Sequence, residues 1–374
     1  MIYLDNAATS RYMPIEVLNA YVGECAKKSN PGRGGHSDSI DSGLKVFHAR
    51  ERLNAFFNNI NGECVFTKNC TEALNLAILG TAKKGRVVTT VTEHNSVLRP
   101  LSYLTRKKQI EVSYARPDDS GAVTWDSVKP LLTDDTYLVI VNCCSNVTGK
   151  ENDYQGIFEE CSNRGILTLA DGAQIAGHKR FDMQKTNCDM FATSGHKGLL
   201  GMQGTGALLF SKKIKINPII YGGTGTDSIM TFQPCSYPES LEAGTLNTAG
   251  ICALQKAVEW CDKNLERVAY KNKSLSQTVI DGLSELNRVK IYSSANTSGI
   301  VSFIIKGIDS ESIADHLNEN RVAVRAGLHC APLMHKHLGT LSSGLVRVSV
   351  GYDNDYKQVN YFLKVMQKYI ENNK

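Results

Sequence analysis

The sequence predicts an α/β protein: a mostly parallel seven-stranded sheet with helices on both faces, followed by a smaller α+β unit. Three observations carry this. From about residue 43 to 250, helical and strand-like patterns alternate, as parallel strands joined by crossover helices require. The run TYLVIVN at 136–142 is apolar almost throughout, which suits a strand covered on both faces. After about residue 246 the pattern changes to long helices and then several strands. A chain of 374 residues is long enough for two domains. The expected division is a large domain at 14–246 and a small one formed by 1–13 with 247–374.

The elements follow in order. Val46, Ala49, Leu53 and Phe56 recur at helical spacing. ECVFT (63–67) is the first strand, and Leu74, Ala77 and Ile78 share one face of the helix after it. RVVTTV (86–91) is a strand, 97–107 a helix and EVSYA (111–115) a strand. Beyond TYLVIVN, residues 155–163 form a helix and ILTLA (166–170) a strand. DMFATS (189–194) and TGALLF (205–210) complete the seven. Two long helical stretches cover about 248–286, followed by the strands VKIY, GIVSFII, VAVR and LVRVSV. A helix at about 310–320 and a last one from about 355 belong to the same unit.

Composition narrows the function. Lys plus Arg less Asp plus Glu is 42 − 37 = +5, too small and scattered a surplus for a nucleic-acid stripe. No apolar run approaches the roughly eighteen residues of a membrane span. The start, MIYLDNAATS, carries no basic-then-apolar signal region, so a cytoplasmic location is expected. There are 11 cysteines, an odd number in a long chain with no CxxC pair. That argues against a disulfide framework and against the usual zinc spacing. His329, Cys330, His335 and His337 match no common ligand spacing either, and no metal is expected.

In open α/β sheets ligands bind beyond the carboxyl ends of the strands. Those ends are polar here: Lys68-Asn69-Cys70-Thr71, Thr92-Glu93-His94-Asn95, Cys143-Cys144-Ser145-Asn146, Asp171-Gly172-Ala173-Gln174 and Ser194-Gly195-His196-Lys197. An isolated Asp is most often a helix cap and an isolated Lys a solvated surface group. Five polar ends together read instead as a site. Asp171 and Lys197 are suited to opposite ends of one flat ligand. Pyridoxal phosphate makes that demand: a lysine for the Schiff base and an acid on the pyridine nitrogen. Its phosphate wants hydroxyls and N–H groups at a helix start, which Thr71 offers, with Ser194 and His196 as further donors.

The blocks LDNAATS (4–10), NPGRGGH (30–36), TEALNLAI (71–78), EHNSVLRP (93–100), SNVTG (145–149), DGAQ (171–174), SGHKGLLGMQGTG (194–206), EAGTLNT (242–248) and RAGLHCAP (325–332) occur in order. Together they resemble the class V aminotransferase family of pyridoxal-phosphate enzymes, and within it the cysteine desulfurase and selenocysteine lyase group. The resemblance spans nearly the whole chain and implies fold type I. It implies Lys197 as the Schiff-base lysine, Asp171 on the pyridine nitrogen, Gln174 on the ring hydroxyl, and His94 stacked on the ring and active in proton transfer. Thr71, Ser194 and His196 would hold the phosphate, and Asn146 would lie near the ring hydroxyl and the substrate carboxylate. Arg347 would grip that carboxylate, with Ala7 and Arg33 beside the substrate. Thr245 would reach the phosphate of a neighbouring subunit in a homodimer. Cys330 would be the sulfur-accepting nucleophile, its thiolate favoured by nearby positive charge, for which His329 and Arg325 are the sequence neighbours.

The reading implied is a cysteine desulfurase acting on L-cysteine and passing persulfide sulfur to an acceptor protein. L-selenocysteine lysis is the near alternative, and another C–S lyase chemistry the next. Two departures bear on the branch. Gly32, not histidine, precedes Arg33, and the segment from Cys330 to Arg347 is short. Both fit a constrained rather than a long swinging cysteine loop. A nucleotide-binding oxidoreductase is disfavoured because no GxGxxG follows the first strand.

Overall fold

The computed structural model describes residues 1–27, 29–31 and 34–372. After a two-residue β1 (Ile2–Tyr3), the central strands are β2 (Glu63–Thr67), β3 (Gly85–Thr90), β4 (Ile110–Ala115), β5 (Thr136–Asn142), β6 (Leu167–Asp171), β7 (Met190–Ser194) and β8 (Gly206–Phe210). They form one seven-stranded sheet in the order β2-β8-β7-β6-β5-β3-β4. The pairs among β3, β4, β5, β6 and β7 are parallel, and β8 runs antiparallel to both its neighbours. The reversal has a local cause. Only residues 195–205 separate β7 from β8, too few for the helical crossover a parallel pair needs.

Every residue of β5 is buried, as its unbroken apolar run requires. One face of the sheet packs Leu53, Phe57, Phe158 and Phe191. The other packs Leu74, Ile78, Leu101 and Leu104 from the helices Cys70–Gly80 and Asn95–Arg106. Side chains cap these helices where the strands end. Asn69 accepts from the Glu72 N–H, and His94 from the Ser96 N–H, which meets donors a helix start leaves free.

The second apolar cluster contains Leu4, Leu275, Val279, Leu283, Phe303, Val348, Phe362 and Met366. Its sheet has the order β12-β10-β9, from β9 (Val289–Ile291), β10 (Ile300–Ile305) and β12 (Val346–Ser349), paired antiparallel. β11 (Val322–Ala323) pairs parallel with β1, so only part of VAVR is strand. The two helical stretches expected over 248–286 are one 37-residue helix, Thr248–Ser284, about 55 Å long at 1.5 Å per residue. Leu254, Val258 and Cys261 on its first half join the central-sheet core, while Leu275, Val279 and Leu283 join the second cluster. One rod therefore spans both cores. The helix Ile15–Cys25 was not expected, since Ile15, Leu18 and Val22 are exposed and only Val17 is buried, so it lacks a clean apolar stripe.

Candidate active site

The sheet register brings the polar strand ends together. Asn142, the last residue of β5, pairs with Asp171, the last of β6, which in turn pairs with Ala192 of β7. β7 ends at Ser194, and the tight connection to β8 carries His196 and Lys197. Neighbouring strands lie about 4.8 Å apart, so Asp171 and the Lys197 loop share one rim. A single cavity there is lined by Thr71, His94, Asn146, Asp171, Gln174, Ser194, His196 and Lys197. These were all singled out in the sequence.

The local bonds set the chemistry. Asp171 is buried, and its Oδ1 accepts from the Ala173 N–H at 3.0 Å and from the Cys70 thiol at 3.6 Å. Burial lowers the Lys197 pKa, with Asp171 pulling the other way, so the site favours a neutral, nucleophilic amine more than water does. His94 is pushed down to about 4 by burial and then by the Lys197 charge. Its Nδ1 accepts from the Ser96 N–H at 3.1 Å, which assigns the proton of the neutral ring to Nε2. His196 is likewise pushed down to about 4 by burial. Ser194 Oγ and Asn146 Oδ1 are buried with no partner, so they are available to a ligand.

The N-terminal segment closes one side. Ala7 O accepts from Gln174 Nε2 at 2.9 Å, and Ala7 N–H donates to Ser349 Oγ at 2.9 Å. Ser10 Oγ donates to the Lys197 carbonyl at 2.9 Å. Arg347 is buried, donating from Nη2 to Asp5 Oδ1 and from Nη1 to Asn146 O, each at 3.0 Å, while its Nε has no partner.

Cys330 is exposed and shares a cavity wall with Thr71, His94 and Ser96. Its loop is tethered to the site twice. Asn146 Nδ2 donates to His329 O at 2.7 Å, and the Asn95 N–H donates to Cys330 O at 2.7 Å. His329 and Cys330 both have left-handed backbones, with φ of 50° and 57°, a conformation L-residues adopt at a cost. One expectation is corrected here. His329 does not supply positive charge to the thiol, because burial, chiefly, holds its pKa down at about 2 and the ring is neutral. The guanidinium that feels Cys330 electrostatically is Arg347.

Thr245 does not line this cavity; it lines a separate one with Lys68 and Glu72. Arg33 lies outside the described residues. Among the described residues no group of three His, Cys, Asp or Glu side chains is gathered as a metal would need, and no helix is long and apolar enough to cross a membrane. Sequence reasoning gave no role to Cys70, Asn142 or Asp5. Asn142 carried a signal, as the first polar residue closing an apolar strand; a buried thiol on a helix start carries none.

Comparison with known proteins gives one family. Residues 2–362 match the class-V aminotransferase family. A cysteine desulfurase of Haloferax volcanii is 33% identical, covering 92% of this chain and 84% of the relative. A probable cysteine desulfurase of Pyrococcus abyssi is 31% identical over 99% of this chain and 94% of its own. An apo cysteine desulfurase structure from Thermococcus onnurineus superposes with a TM-score of 0.89 at 30% identity, covering 99% and 95% of the two chains. With its mostly parallel sheet and its polar strand ends, this chain belongs to the class-V aminotransferase family.

Proposed function

We propose that the protein is a pyridoxal-phosphate-dependent cysteine desulfurase that carries persulfide sulfur on Cys330. The observation that carries this reading is the double tether of the Cys330 loop, whose cavity shares Thr71, His94 and Ser96 with the Lys197–Asp171 cavity. A fold of this type hosts several chemistries; a thiol fixed beside the cavity is what sulfur transfer adds.

The residues present fit pyridoxal phosphate. Ser194 Oγ is a buried donor without an acceptor, and the helix Cys70–Gly80 opens on the same cavity, an arrangement that suits a phosphate. When bound, the cofactor supplies an electron sink for the substrate's α-carbon. Thr71, Ser194 and His196 would hold its phosphate, Asp171 its ring nitrogen, Gln174 and Asn146 its hydroxyl side, and Lys197 its aldehyde carbon. His94 would cover the ring and hold a proton at Nε2. Thr245 would serve the partner's site in a homodimer.

Arg347 would receive the substrate carboxylate through its unpartnered Nε side, with Ala7 beside it. Lys197 Nζ, shifted toward its neutral form, takes the Cα proton. Cys330 Sγ then attacks the substrate sulfur. A sulfur–sulfur bond forms and the Cβ–sulfur bond breaks; the electron pair stays with Cβ, which takes a proton to become a methyl group, and Lys197 Nζ returns the proton to Cα to complete alanine. The thiolate is the attacking form, and a reducing compartment such as the cytoplasm keeps it available for transfer to an acceptor protein.

The test compares L-cysteine and L-selenocysteine turnover in the native protein and in Cys330→Ala. The native protein should yield alanine and a persulfide on Cys330, and borohydride should fix the cofactor at Lys197. The variant should keep the cofactor and make no persulfide. Desulfuration of cysteine by the variant at the native rate removes Cys330 from the reaction. Turnover of selenocysteine alone by the native protein replaces the reading with selenocysteine lysis.

A further inference from the structure

Directly before His94 lies a second buried acid. Glu93 is completely buried and, among the described residues, forms no ion pair with any Lys or Arg. Its Oε1 accepts from Thr90 Oγ1 and from the Asn142 N–H, both at 2.8 Å. Its Oε2 has no partner, and neither does Asn142 Oδ1. The surrounding hydroxyls and amides are engaged: Thr90 Oγ1 with Thr92 Oγ1, and Asn152 Nδ2 with Thr92 Oγ1 and the Asn142 carbonyl. The cluster thus holds two orphaned acceptors. A buried carboxylate with neither a cation nor a full set of donors is costly, and one proton removes both defects.

We propose that Glu93 is a positioning residue that works as the neutral acid, bracing Asn142 at the cavity rim and leaving Asp171 as the one carboxylate there. The groups that bear on its charge support this. Asp171 faces it from β6, and the Cys143 thiol, after β5, is itself raised in part by Glu93. Burial first and Asp171 second push Glu93 up to about 8. An ionised Glu93 would put a second negative charge behind the group that is to hold a ring nitrogen. The functional part of this inference rests on the reading of Asp171 as the cofactor's acid; the protonation state of Glu93 does not.

The experiment uses the full-length protein, with and without added pyridoxal phosphate. Difference infrared spectra across the midpoint near pH 8 should show one protonated-carboxyl stretch disappearing in the native protein. That band should be missing in Glu93→Gln, whose amide copies the neutral acid in size and charge. With cofactor bound, the visible absorbance of native protein should shift over the same pH range. Gln should remove that pH dependence and keep the native low-pH spectrum, which Ala should lose. The proposal is overturned if the native protein shows no protonated-carboxyl band that Glu93→Gln lacks, or if Glu93→Gln does not fold. Failure of the cofactor reading looks different: no visible band and no borohydride label at Lys197, with the infrared band unaffected.

Discussion

The tether between Asn146 and the Cys330 loop can be tested with a single atom. Asn146→Asp replaces the Nδ2 donor with an acceptor, so an anionic oxygen faces His329 O in place of a hydrogen bond of 2.7 Å. Both residues are buried, each 4% exposed. A buried carbonyl left without its donor costs about 1–3 kcal/mol. At about 1.4 kcal/mol per tenfold, the docked loop loses about 5- to 150-fold in population, with Asp toward the upper end and Ala toward the lower. The backbone amplifies the loss. His329 and Cys330 sit at φ of 50° and 57°, each costing about 1–2 kcal/mol, and the tethers offset that strain. The remaining bond, from the Asn95 N–H to Cys330 O, must then hold the loop alone. The assay is single-turnover persulfide formation on Cys330 from L-cysteine, with the cofactor's visible absorbance as the control for an intact site. Persulfide formation should slow by that factor while the cofactor is retained. An unchanged rate in a folded, cofactor-loaded variant would refute the reasoning. So would a loss that merely tracks loss of cofactor.

Three further perturbations follow. Arg347→Lys keeps a charge but gives up the fork that engages Asp5 and Asn146 O together. It should raise KM for L-cysteine about 10- to 150-fold, the worth of a charged hydrogen bond at 1.5–3 kcal/mol; steady-state kinetics that show a fall in kcat alone would contradict this. Gly177→Ala should abolish cofactor binding, because φ there is +79° and a Cβ would lie 2.1 Å from the carbonyl oxygen of Gly198, the residue after Lys197. Retention of borohydride labelling at Lys197 would show that this crossing of backbones does not position the lysine. His94, His196 and His329 are all held below their ordinary value of 6.5. The unfolded chain therefore binds more protons, and stability should fall as pH drops below about 6.5. The melting temperature should trace that slope, less steeply in His329→Asn, since Asn tolerates φ near 50°; a profile flat from pH 7 to pH 5 would refute it.

Most of the fold was legible because its signals are local. The burial of β5 follows from TYLVIVN, and the order of strands and helices follows from the alternation. The single helix over 248–284 was harder. It crosses from one core to another along one face, but the buried polar residues Asn272 and Ser276 interrupt the apolar stripe, so it reads as two pieces. The reversed β8 was not stated from its pattern, although the short loop before it contains the reason.

The site divides along a physical line. Residues that would touch a ligand announce themselves by chemical type at a strand end: Asp171, Lys197, His94 and Ser194 were all read before any geometry. The contacts that hold those residues in place do not, because the partners are fixed through space. Asn146 reaches His329 across 183 positions and Arg347 reaches Asp5 across 342, and no local pattern encodes such a distance. The same reasoning explains the error over His329. Next to Cys330 in sequence, it is a plausible cation; in the fold it is buried against His335 and Arg347 and stays neutral. Arg347 is a guanidinium whose charge interacts with Cys330, and the proposed mechanism also uses it for the substrate carboxylate. Binding of that carboxylate would neutralise Arg347, so the attraction of the guanidinium for the thiolate should be strongest in the free enzyme. The alkylation rate of Cys330 should then fall when a carboxylate ligand without sulfur, such as L-alanine, occupies the site, and in Arg347→Gln the free protein should already alkylate slowly and respond little to alanine. A rate in that variant equal to the native one would mean that Arg347 does not act on the thiol.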